Sequence, residues 1–105
     1  MIVAECRAGL KMSKETGVAI VTILELPGVT EAQYEAAGAA LPPGAPAGIL
    51  YHSCGAIEGG WRIVDVWESQ SAWDTWLDTH YLAAIGVAPA RREAMPAHHA
   101  GPVIR

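Results

Sequence analysis

From Val18 to Leu26 the chain is apolar and rich in β-branched residues, broken only by Thr22 and Glu25, and Pro27-Gly28 closes the run with a strong turn signal. This predicts a first strand, buried on both faces. Thr30 and Gln33 have the spacing of a capping box, flanked by Val29 and Tyr34 as a hydrophobic staple, so a helix is expected to begin at Glu31. Its apolar positions are Tyr34, Ala37, Gly38 and Leu41, and Pro42-Pro43-Gly44 stops it. A Pro/Gly/Ala linker runs through Ala47. Two strand-like runs follow, Gly48 to Cys54 and Trp61 to Trp67, around the glycines 55, 59 and 60, which together read as a hairpin. Ser69 is a cap for a second helix, in which Trp73, Trp76, Leu77, His80, Tyr81, Ala84 and Ile85 form one helical stripe that ends at Gly86. A closing edge strand is expected over about Met95 to Ile104, where an edge tolerates Pro96 and Pro102.

The order strand, helix, strand, strand, helix, strand is the α+β, ferredoxin-like βαββαβ pattern, an antiparallel sheet with two helices on one face. Side chains alternate along each strand, so a hairpin loop of two or four residues sets Leu50, His52 and Cys54 on one face with Trp61, Ile63, Asp65 and Trp67. A loop of three or five residues would part His52 from Asp65. With the two- or four-residue loop, Ile49, Tyr51, Val64 and Val66 point the other way and suit the helical side. The tryptophan-bearing set falls on the face without helices, a patch that needs cover. A second copy packed about a two-fold axis supplies it, giving an obligate homodimer that encloses a cavity between two sheets.

Composition narrows the partners. The 105 residues carry 7 basic and 11 acidic side chains, a net charge of −4, and 51% are hydrophobic, which fits one folded domain over 17–105 after an N-terminal extension over 1–16. The cations are scattered and outnumbered, so neither nucleic acid nor a membrane surface is an expected partner. The longest apolar run is less than half of the roughly 20 residues of a spanning helix. With only Cys6 and Cys54 and no leader pattern, the expectation is a soluble, cytoplasmic chain without a disulfide framework.

The chemistry converges on His52. Opposed to Asp65, its imidazole gains a fixed tautomer and higher basicity, the preparation of a general base, and Trp67 offers a wall for a planar ligand. The same pair also serves as a plain structural hydrogen bond. Trp61, Ile63, Leu50, Trp76, His80 and Tyr81 are further candidates for substrate contact. His52 and Cys54 share a face, but no further Cys/His cluster completes a metal set, and no nucleotide or nucleophile-elbow motif is present. No metal and no cofactor is expected. At roughly 7 Å between successive same-face positions, Cys54 reads as a buried hydrophobe instead of a nucleophile activated by His52.

The stretch Val64-Asp65-Val66-Trp67-Glu68-Ser69, followed by Ala72-Trp73 and Trp76-Leu77, resembles the third strand and second helix of the antibiotic-biosynthesis-monooxygenase group of dimeric α/β-barrel proteins. The resemblance extends loosely over 17–104. It implies paired ferredoxin-like subunits whose cavities take small, often aromatic or polyketide molecules, in a group that includes cofactor-independent oxygenases and haem-degrading enzymes. Trp76 matches the tryptophan of the haem-degrading branch. Ten residues on, Gly86 stands where that branch has its histidine, and the chain has no asparagine, which argues against haem degradation and weakens transfer from the asparagine-bearing oxygenases. The expected function is a cofactor-independent monooxygenase-like enzyme for a planar aromatic or polyketide-like substrate, with His52 and Asp65 as general base. A polyketide-cyclase-like enzyme and a non-catalytic ligand-binding or structural homodimer are the alternatives.

Overall fold

A computed structural model describes residues 19–101; the expected extension over 1–16, Cys6 and the chain after Gly101 lie outside the described residues. Strand β1 (Ile20–Pro27) buries alternate residues, Ile20, Thr22, Leu24 and Leu26, while Val21, Ile23 and Glu25 are half-buried. It is thus covered fully on one face only. The capping box forms as expected: Thr30 N–H donates to Gln33 Oε1 at 2.8 Å and Gln33 N–H to Thr30 Oγ1 at 3.2 Å, opening α1 (Glu31–Ala39).

The hairpin β2 (Ile49–Ile57) and β3 (Gly60–Trp67) turns through two residues, Glu58 and Gly59, the latter at φ 79°. Its register sets His52 opposite Asp65 and Cys54 opposite Ile63. Gly60 is required for a steric reason: a Cβ there would run into the Leu26 carbonyl of β1. Ser69 caps α2 (Gln70–Trp76), which passes through a π-helical segment (Leu77–Tyr81) into α3 (Leu82–Ile85), ended by Gly86 at φ 71°. Four residues of α-helix overshoot a full turn by about 40°, so positions four apart drift off a common face. The wider π turn takes up that drift, and Trp73, Leu77 and Tyr81 all bury while His80 of the expected stripe is exposed.

Strand β4 (Arg91–Pro96) comes earlier than the 95–104 expected from sequence. Its charged start is usable because β4 is an edge: Arg91 meets Glu25 and Glu93, and Arg92 reaches Asp74 and Asp78 on the helical side. The sheet order β2-β3-β1-β4, antiparallel throughout, is the ferredoxin-like arrangement.

The face assignment is corrected. Trp61, Ile63, Asp65 and Trp67 do share a face, but it is the face under the helices, in one core with Leu24, Leu26, Trp73, Leu77 and Tyr81. Alternation fixes which side chains travel together; it does not say which set the helices cover. The cavity is therefore inside one chain and not between two sheets. Ile49 also changes sides, because a bulge between Ile49 and Tyr51 brings it opposite Trp67 and leaves Leu50 48% exposed outside the cavity. The helix-free face carries the row Tyr51, Val66, Val21, Met95 across all four strands, with an ionic row of Arg62, Glu25 and Arg91 further along.

Candidate functional site

The two-residue turn brings His52 Nδ1 within 2.8 Å of Asp65 Oδ1, and Trp67 Nε1–H reaches the other carboxylate oxygen at 3.4 Å. Asp65, opposite Thr22 on the central strand β1, is buried, whereas the His52 side chain keeps 46% of its surface. From α1, the Tyr34 hydroxyl comes to 2.8 Å from His52 Nε2. An ionised carboxylate only accepts, so the tautomer that satisfies every partner places the imidazole proton on Nδ1 and leaves Nε2 to accept from the phenol. The result is a chain in which Tyr34 O–H donates to His52 and His52 N–H donates to Asp65.

Burial raises the Asp65 carboxyl above its ordinary range, opposed by hydrogen bonds from His52, Trp67 and the Ser53 backbone. Burial likewise pushes the Tyr34 phenol well above the usual range, with Cys54 and the Asp65 charge adding to the effect. Tyr81 is pushed up to about 12, again chiefly by burial, with Cys54 and Asp65 contributing. Both phenols are neutral donors at neutral pH.

This polar end opens on a cavity of about 670 Å³ between the sheet and the helices. Its walls are Leu24, Ile49, Ile63, Trp67, Trp73, Trp76, Leu77 and Tyr81, and the strap Leu41–Pro46 between α1 and β2 closes one side. The volume suits a small organic molecule. Of the residues expected from sequence, His52, Asp65, Trp67, Ile63, Trp76 and Tyr81 line it. Trp61 does not: it is buried behind Tyr34, their rings stacked 5.0 Å apart. Leu50 and His80 also lie outside it, His80 beside a second hollow of about 440 Å³ on the far side of the strap, its ring 5.2 Å from that of Trp76.

Sequence reasoning missed Tyr34 as a site residue. Its place on the inner stripe of α1, with Ala37, was the available signal, but nothing in the sequence pairs that helix position with His52. Cys54, read as buried, is an exposed free thiol. No group of three or more potential metal ligands is found among the described residues, and no helix there is long and apolar enough to cross a membrane.

No family model matches the chain, and no curated protein matches it. Among solved structures, one from Chloroflexus aurantiacus J-10-fl, described as a "putative Antibiotic biosynthesis monooxygenase", is similar over 80% of this chain and 97% of its own, with a TM-score of 0.56 and 16% identity. At that identity the likeness shows a common fold: the α+β βαββαβ architecture seen in that group.

Proposed function

We propose that the cavity is the active site of a small-molecule enzyme resembling the cofactor-independent monooxygenases, acting on a planar, hydroxylated aromatic substrate. The observation that carries this reading is the Tyr34–His52–Asp65 chain opening on an apolar, tryptophan-walled cavity. A substrate hydroxyl or activated C–H gives its proton to Tyr34 Oη as the phenol proton passes to His52 Nε2. His52 becomes an imidazolium held against the Asp65 carboxylate, and the substrate becomes a phenolate or carbanion. Tyr34 is thus the group that meets the substrate, and His52 acts through it. The anion is then poised for attack on dioxygen or for ring closure. The apolar walls limit the access of water to it.

The experiment is oxygen uptake with hydroxylated two- and three-ring aromatics. Turnover that falls in both His52→Ala and Tyr34→Phe supports the reading; an unchanged rate in His52→Ala overturns it. One observation favours a second reading, a ligand-binding protein without turnover: His52 Nε2 is already occupied by Tyr34, which ties α1 to the sheet. Ligand binding with no consumption of oxygen or substrate selects that reading.

The homodimer is retained as a proposal on a different surface. The row Tyr51, Val66, Val21, Met95 crosses the helix-free face near one end of the sheet, with Tyr51 50% and Met95 56% exposed. An apolar row that crosses a whole sheet can pair with its own copy about a two-fold axis, which makes a second copy the proposed cover.

A further inference from the structure

Each arginine among the described residues is committed to carboxylates outside the cavity. Arg62 and Arg91 hold Glu25 on the helix-free face, and Arg92 bridges Asp74 and Asp78 with its guanidinium 5.7 Å over the Trp73 ring. No lysine or arginine among the described residues lines the cavity. Its ionisable lining is instead Glu35, Asp65, His52, Tyr34 and Tyr81. Two of these are acids, and the buried one, Asp65, already has its hydrogen-bond donors in His52 and Trp67. Among the described residues, the buried Tyr81 hydroxyl has no hydrogen-bond partner and offers a neutral donor, but no fixed cation lines the cavity to meet an anion. Low-dielectric walls strengthen the repulsion between Asp65 and any second negative charge. A net charge of −4 acts in the same sense at longer range.

We infer that the ligand enters this cavity uncharged, as a hydroxylated ring system without carboxylate, sulfate or phosphate. The inference rests on the small-molecule reading and narrows it. It is compatible with a phenolate formed inside, because the proton stays beside it on His52 and the charge of the whole site does not change. A carboxylate brought in from solution adds a charge that the described lining offsets only by drawing a further proton from solvent onto His52. The site tolerates a moved proton and rejects an imported anion.

Calorimetric binding to the full chain at pH 7 tests this with three probes: 2-naphthol, 6-hydroxy-2-naphthoic acid and the methyl ester of that acid. The ester controls for bulk. The expected result is binding of naphthol and ester, with the acid at least tenfold weaker than its ester. A gap smaller than tenfold between acid and ester, including equal weakening of both relative to naphthol, overturns the inference and leaves the small-molecule reading standing. Failure of naphthol and ester to bind ends that reading, and this inference with it.

Discussion

Tyr34 Oη lies 2.8 Å from His52 Nε2, joining the first helix to the second strand across the mouth of the cavity. The contact has two consequences. It gives His52 Nε2 a fixed proton donor in the phenol, and in the proposed reaction it makes that phenol the first group a ligand hydroxyl meets.

Removing the phenol oxygen alone is therefore informative. Tyr34→Phe keeps the ring that stacks on Trp61 and is expected to lower kcat by about 10²-fold with little change in folding, and His52→Ala by roughly 10²- to 10⁴-fold. Steady-state oxygen uptake with far-ultraviolet circular dichroism on the same samples checks both. A Tyr34→Phe variant with full activity would show that the phenol only braces the helix.

Asp65 and Glu25 are expected to push stability in opposite directions with pH. Burial raises the Asp65 carboxyl in the fold, so the folded state binds its proton more readily than the unfolded chain. Its contribution to stability is full below the unfolded value near 3.9 and is lost as pH rises through the raised folded value. Glu25 is lowered, first by the hydrogen bond from Arg62 and then by Arg91; its contribution is present above the unfolded value and fades as pH falls through the depressed one. Urea midpoints between pH 3 and 7 test the signs: relative to the parent, Asp65→Asn gains as pH rises and Glu25→Gln loses. Parallel pH curves for parent and Asp65→Asn would contradict the assignment.

Gly60→Ala places a methyl against the Leu26 carbonyl where β1 passes the hairpin. A cost of about 1–3 kcal/mol is expected, read as a lower urea midpoint at unchanged slope. Gly28→Ala, with open space around its Cβ but φ at 75°, separates backbone strain from collision in the same assay.

The helix-free row predicts assembly. Sedimentation at micromolar concentration is expected to give a dimer for the parent and a folded monomer for Val66→Glu. A parent that sediments as a monomer would leave Tyr51 and Met95 in water and remove the homodimer from the account.

Much of the fold could be read from local chemistry. Thr30 and Gln33 cap a helix wherever it packs, and the short turn at Glu58-Gly59 sets His52 against Asp65 by counting residues. What could not be read depends on distant choices. Which face of the sheet the helices cover is decided by whether Trp73, Leu77 and Tyr81 meet the tryptophan set or the valine set, and both are apolar. The bulge that moves Ile49 into the cavity leaves no mark in the strand pattern, and Arg91-Arg92-Glu93 resembles a solvated turn until its partners Glu25, Asp74 and Asp78 are in place. Tyr34 joins the site by the same kind of long-range contact, 18 positions from His52.

A crystal structure of the protein soaked with 2-naphthol bears most directly on the central claim. The account predicts the ring between the tryptophans of the cavity, with its hydroxyl in hydrogen-bond distance of Tyr34 Oη and the Tyr34 to His52 bond intact. A ligand seated on the helix-free face, or one in the cavity with its hydroxyl turned toward the Leu41–Pro46 strap, would contradict it.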